Sequence, residues 1–220
     1  MLLSMNVIEL FSSIDGEGKR QGFLTTFLRL HDCNIRCSYC DTLYSYGPES
    51  TFESMSVQAV VDAIEQLENH RITITGGEPL LQEPAIIELI DELTRRNARY
   101  DFNIETNGTI IPSFHRDNVW FTYDYKTPSS LAEEAMNLDI FKVATPADII
   151  KFVVGSTQDL DRMNEILKTY PTDAQIFVSP VWGNIEGATI IEYMKAHNWQ
   201  NVRFQLQIHK FIWDPDAKGV

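Results

Sequence analysis

Cysteine is nearly absent: the 220-residue chain has three, all between positions 33 and 40. An odd number packed that closely argues against a disulfide framework, which needs pairs and usually a secreted setting. Basic residues are scarce as well, with 18 Lys plus Arg against 31 Asp plus Glu and a net charge of −13. A surface of that sign repels a phosphate backbone and no local basic patch relieves it, so nucleic-acid binding is not expected. Long apolar runs are missing too, none approaching the roughly 20 residues of a membrane span. The start, Met1-Leu2-Leu3-Ser4-Met5-Asn6, has neither the basic flank nor the apolar stretch of a signal peptide. A soluble protein in a reducing, cytoplasmic compartment is the expectation. Linkers, repeats and low-complexity segments are lacking, and the length suits one domain over residues 1–220, burying roughly 70% of its unfolded surface.

What is present alternates. Phe23–Leu30, rich in β-branched and aromatic residues, reads as a strand ending just before the cysteines. Ser56 is placed to cap a helix with Val57, Val60, Val61, Ile64 and Leu67 at the 3.6-residue period. A strand at Arg71–Thr75 and a helix at Glu83–Arg96 follow, the helix burying Ile86, Ile87, Leu89, Ile90 and Leu93. Further strands are expected at Asp101–Glu105, Val119–Tyr125, Ile149–Val154, Ala174–Ser179 and Val202–Ile208, and helices at Gln158–Tyr170 and Gly187–His197. Residues 127–148 fit the rhythm poorly and read as an irregular lid or a short helix at Leu131–Asn137. Strand–helix alternation predicts an α/β fold with a parallel sheet and right-handed crossovers.

In such folds chemistry sits at the C-terminal ends of the strands. The unusual residues gather there: the cysteines, Gly76-Gly77-Glu78-Pro79, Glu105-Thr106-Asn107-Gly108, Asp124-Tyr125-Lys126, Ser179-Pro180-Val181-Trp182, and Gln207 with His209. Three thiolates spaced C-x3-C-x2-C make an incomplete tetrahedral metal site with one position left for something else. Zinc completed by His31 or His70, or three buried structural thiols, are the blander readings. Two glycines after a strand let the backbone approach a ligand closely, or simply make a tight turn.

The cysteine spacing and the Gly-Gly-Glu-Pro segment resemble those of the radical S-adenosylmethionine (SAM) enzymes. Ile14-Asp15-Gly16-Glu17-Gly18, Phe27-Leu28-Arg29-Leu30, Cys40-Asp41-Thr42 and Gln207-Ile208-His209-Lys210-Phe211-Ile212-Trp213 resemble the 7-carboxy-7-deazaguanine synthase family within that superfamily. The resemblance implies an incomplete parallel β/α barrel and a carbon–nitrogen lyase. The implied reaction contracts 6-carboxy-5,6,7,8-tetrahydropterin to 7-carboxy-7-deazaguanine, in queuosine-type deazapurine biosynthesis. It implies a homodimer using a 4Fe–4S cluster, SAM and Mg²⁺, with an electron donor such as flavodoxin or ferredoxin. A 5′-deoxyadenosyl radical from SAM takes hydrogen from the pterin.

Carried over by position, Cys33, Cys37 and Cys40 hold the cluster, and Thr42 ligates Mg²⁺. Tyr39, Cys40, Asp41, Gly77, Glu105, Asp124, Tyr125 and Lys126 lie along SAM, as do Ser179, Pro180, Val181 and Trp182. Ile14, Asp15, Gly16, Arg29, Thr75 and His209 touch the substrate. Arg29 suits a carboxylate because its planar fork pairs bidentately. Members commonly carry Gln where this chain has Asp15, which exchanges a donor-and-acceptor amide for an acceptor-only carboxylate. A glycyl-radical activating enzyme shares the cysteine spacing, and a zinc-stabilised binding module is the non-enzymatic alternative.

Overall fold

The computed structural model describes residues 3–220; Met1 and Leu2, at the head of the stretch read for a signal peptide, lie outside the described residues. The chain runs β1 (Ser4–Ile14), β2 (Leu24–Leu30), β3 (Glu53–Ser56), α1 (Val57–Gln66), β4 (Arg71–Gly76) and α2 (Glu83–Arg96). It continues through β5 (Asp101–Thr106), β6 (Val119–Lys126), α3 (Ile140–Val143), β7 (Ile149–Val154) and α4 (Thr157–Thr169), then β8 (Gln175–Pro180), α5 (Gly187–Ala196), β9 (Val202–Phe204) and α6 (His209–Ile212). Among the described residues nine strands form one sheet, ordered β3-β1-β2-β4-β5-β6-β7-β8-β9. From β2 to β9 every pairing is parallel, while β1 runs antiparallel to β2 and β3.

The helices form for the expected reasons. Ser56 accepts from Ala59 N at 3.2 Å, and α1 buries Val57, Val60, Val61 and Ile64. On α2 the buried face is Ala85, Ile86, Leu89, Ile90 and Leu93, with Ile87 only half-buried, because Ile87 sits a third of a turn off the stripe. Along β6 the pleat sorts side chains: Phe121, Tyr123 and Tyr125 are in the hydrophobic core, while Asp124 and Lys126 line a cavity on the opposite face.

Three expectations change. The hairpin strands β1 and β3 were not foreseen; β1 is ordered by pairing with β2, where Phe11 opposes Phe27 and the rings stack at 5.2 Å. The final strand is Val202–Phe204 rather than Val202–Ile208, since Gln205 turns its amide to Gly18 N (2.8 Å) and the chain leaves the sheet. Within residues 127–148 the helix expected at Leu131–Asn137 is a single 3-10 turn at Glu133–Ala135. Buried carboxylates order that segment: Asp159 accepts from Ser129 N and Gly155 N, and Asp148 from Phe121 N and Thr145 N.

β1 lies next to one edge of the sheet and β9 forms the other. Yet Ile208 N donates to Gly16 O at 3.1 Å, and Lys151 on β7 reaches Glu17 beside the end of β1. The sheet therefore curls until the segment after β9 meets the loop after β1, with no strand pairing across the gap. This is an incomplete parallel β/α barrel.

Candidate active site

The barrel encloses a cavity of about 260 Å³ at the C-terminal ends of its parallel strands. Cys33, Cys37 and Cys40 all line it, as free, half-buried thiols. Their loop is held from three sides. Ser38 N donates to Ser130 O (2.9 Å) and Ser38 Oγ to Ser129 O (2.6 Å), so the irregular 127–148 segment braces the cysteines. Asn107 Nδ2 donates to Asn34 Oδ1 at 2.9 Å and lies 3.7 Å from Cys33 Sγ. Below, the Gly76–Gly77 turn packs flush on the loop: a Cβ at Gly77 would fall 2.0 Å from Asp32 O, and Gly76 has φ +150° against Leu30. These glycines serve the close approach of two backbone segments.

Glu78, which follows these glycines, is fully buried, accepting from Leu80 N, Thr106 Oγ1 and Asn107 N at 2.7–3.0 Å, and it clamps β4 to β5. Burial pushes its carboxyl above the usual range against those bonds.

The loop after β1 forms the facing wall, and Ile14, Asp15 and Gly16 line the cavity. The Asp15 carboxylate accepts from Arg20 Nε (2.9 Å), Thr25 Oγ1 (2.8 Å) and Thr73 Oγ1 (3.2 Å). Its own N–H donates to Phe23 O, and its carbonyl accepts from Gly22 N. Asp15 is thus engaged throughout with the protein, and its three side-chain neighbours are all donors, which suits a carboxylate. Arg29 meets Glu9 through Nε at 2.6 Å, and Thr75 Oγ1 donates to Glu105 Oε2 at 3.1 Å. The imidazole of His209 lies against Gly16 and is pushed below its ordinary titration range by burial.

On the other side Asp124 and Lys126 face the cavity with their charges 3.0 Å apart, and Tyr39, Asp41, Thr42, Gly77 and Glu105 are also in the lining. Val181 and Trp182 line it too, whereas Ser179 and Pro180 do not. Tyr125 also lies outside the lining, because the pleat turns it to Phe141 and Phe152 and its hydroxyl donates to Glu133.

Sequence reading overlooked Lys151, which sits within the apolar strand run Ile149–Val154. It is 7% exposed, with Nζ 2.8 Å from Glu17 Oε2 and 3.6 Å from Asp124 Oδ2. Burial opposes its charge, but Glu17, Asp124 and Glu105 hold its pKa well above the lysine value. Gln205 and Lys210 were also missed, and Gln207 was noted at the rim without a role: both glutamines donate to Glu17, and Lys210 pairs with Asp41 at 3.2 Å. Gln207 and Lys210 lie in the C-terminal motif and Gln205 two residues before it, but their partners are set by the curl of the sheet.

Three free thiols from one short loop on the cavity wall suit a multi-iron cluster, which gives each thiolate its own iron. Zinc lacks its expected fourth ligand, since His31 packs tilted against Phe52 and His70 against Tyr100, neither lining the cavity. Burial pushes the Cys37 thiol up to about 11, so metal uptake displaces protons.

Residues 29–153 match the Radical SAM superfamily. The chain is 37% identical to the 7-carboxy-7-deazaguanine synthase of Clostridium acetobutylicum, covering 99% of this chain and 100% of that one. The chain belongs to the 7-carboxy-7-deazaguanine synthase family. Its namesakes in Methanospirillum hungatei (37% identical, 96% and 86% covered) and Leptospira interrogans (36%, 99% of each) agree. The crystal structure of QueE from Escherichia coli shares the fold, with TM-score 0.69 and 24% identity over 92% of this chain and 93% of that one. Membership in the radical SAM superfamily implies a 4Fe–4S cluster and SAM.

Proposed function

We propose that this chain converts 6-carboxy-5,6,7,8-tetrahydropterin to 7-carboxy-7-deazaguanine with release of ammonia. One observation carries the reading: the full-length likeness to 7-carboxy-7-deazaguanine synthases falls on a chain whose Ile14–Gly16 loop, Arg29, Thr75 and three cysteines line one cavity.

When bound at Cys33, Cys37 and Cys40, a reduced cluster with SAM supplies the one-electron chemistry that makes hydrogen-atom abstraction from the pterin possible. The protein's part is binding and orientation. Arg29 uses Nε on Glu9, leaving its two terminal amines for the substrate carboxylate. His209 is neutral at pH 7, so one ring nitrogen donates while the other accepts toward the pterin. Gly16 and Ile14 present backbone and apolar surface to the ring, and Thr75 a hydroxyl, while Asp15 holds the loop's shape. Tyr39, Asp41, Gly77, Glu105, Asp124, Lys126, Val181 and Trp182 contact SAM. Tyr125, Ser179 and Pro180 act from behind the lining.

The Thr42 hydroxyl, which lines the cavity 3.7 Å from Cys40 Sγ, would hold Mg²⁺, and the ion would supply positive charge for the substrate carboxylate. A flavodoxin or ferredoxin donates the electron, and the working form is a homodimer; family membership supports both. Incubating the anaerobically reconstituted, reduced protein with SAM, Mg²⁺ and the carboxypterin yields 7-carboxy-7-deazaguanine by mass spectrometry. Absence of that product rejects the reading.

A further inference from the structure

We propose that Lys151 is a positioning residue that couples the substrate side of the cavity to the SAM side, so that each ligand tightens the binding of the other. The inference rests on the proposed function, which fills both sides. Its geometric basis is independent of it. The Lys151 ammonium lies 2.8 Å from Glu17, in the loop after β1 across the barrel, and 3.6 Å from Asp124, its register partner on the adjacent strand β6. Glu17 directly follows the Ile14–Gly16 wall. Asp124 also pairs with Lys126 at 3.0 Å, and its other oxygen, Oδ1, is buried without a hydrogen-bond partner.

The arrangement is a chain of alternating charges, Glu17, Lys151, Asp124 and Lys126, with side chains only 9–20% exposed. A lysine ammonium is a compact charge on a flexible stem and can shift between two carboxylates without breaking with either. At these positions it stands nearer Glu17, the shorter contact. A ligand that donates hydrogen bonds to Glu17 satisfies part of that carboxylate's demand and frees the ammonium to move toward Asp124. An acceptor oxygen on the SAM side that draws the ammonium toward Asp124 leaves Glu17 free to take the substrate's donor. Each occupied side thus leaves available the group that the other ligand needs. Such coupling is reciprocal by thermodynamic necessity and commonly amounts to about 5–150-fold in affinity.

A purely structural ion pair would stabilise the barrel without linking the two affinities. Equilibrium dialysis on the anaerobically reconstituted protein separates these roles: SAM affinity is measured with and without saturating carboxypterin, and pterin affinity with and without SAM. In the parent each ligand tightens the other by the same factor, about fivefold or more. Lys151→Met, which keeps the apolar stem, brings that factor to near one, and Lys151→Arg retains part of it. Because Lys151→Met leaves buried carboxylates uncompensated, the double variant Glu17→Gln/Lys151→Met is measured too; it restores stability but not coupling. An unchanged factor in Lys151→Met, or no coupling in a parent that makes product, overturns the inference. A parent that neither binds nor converts the pterin overturns the functional reading itself.

Discussion

The imidazole of His209 lies so close to Gly16 that a Cβ built there would fall 1.9 Å from Nδ1. This contact joins the loop after β1 to the segment after β9, beside the backbone bond from Ile208 N to Gly16 O. Two ends of the chain meet at a point where no side chain fits, and both face the cavity.

Gly16→Ala must expel the His209 ring or shift the loop. Misplacing a substrate-positioning group by about an ångström costs on the order of 100-fold in efficiency. The expected outcome is a 10–100-fold loss of kcat/KM in a protein whose C-terminal segment becomes more sensitive to trypsin. Adding His209→Ala to Gly16→Ala removes the clash, so the double variant loses less than the sum of the singles. Additive losses in steady-state kinetics would contradict the contact.

The same histidine makes stability depend on pH. Burial holds its folded-state pKa below the ordinary 6.5. Above 6.5 both folded and unfolded chains carry it neutral, and its contribution is complete. As pH falls below 6.5 the unfolded chain takes up a proton that the folded one still refuses, so stability declines until the folded pKa is reached. The slope is at most about 1.4 kcal/mol per pH unit. Thermal melts from pH 7.5 to 5.5 should therefore fall less steeply for His209→Gln than for the parent; superimposable slopes would refute this assignment.

Glu78→Gln replaces an oxygen that accepts from buried N–H groups with an amide that cannot. The loss is about 1–3 kcal/mol, read by calorimetry as a melting temperature lowered by about 2–4 °C for each kcal/mol. An unaltered melting temperature would mean that the clamp between β4 and β5 carries no weight.

Cys37→Ala removes one thiolate from the cavity wall. Oxygen-free preparations of the parent should be brown and contain iron and sulfide, whereas the variant retains little of either and makes no product. The half-buried thiol contributes little apolar burial, so the variant's circular dichroism stays that of the parent. A variant that turns over as fast as the parent would remove the basis of the functional reading.

Much of this was legible in order along the chain. Helices α1, α2 and α4 announce themselves because each buries a stripe at the 3.6-residue period. The parallel strands do so because they are short apolar runs between those helices. β1 did not, because its order comes from pairing with β2 and β3 rather than from its own pattern. Cys33, Cys37 and Cys40, Arg29, Thr75 and His209 were visible as local motifs. Lys151 was not, since one lysine in the run from Ile149 to Val154 has no local meaning until Glu17 and Asp124 are brought to it.

By itself the sequence determined the chemistry available: three thiols in one short loop, a strand–helix alternation that aims loops at one rim, and a C-terminal motif ending that rim. Tertiary structure alone decided how those groups are spent. The curl of the sheet brings residues 14–18 against residues 205–209 and makes Glu17 and Lys151 cavity charges, while the packing of neighbouring strands makes Asp15 and Glu78 framework. Which partner a buried charge finds is a property of the closed barrel, because burial demands a partner and only the fold supplies one.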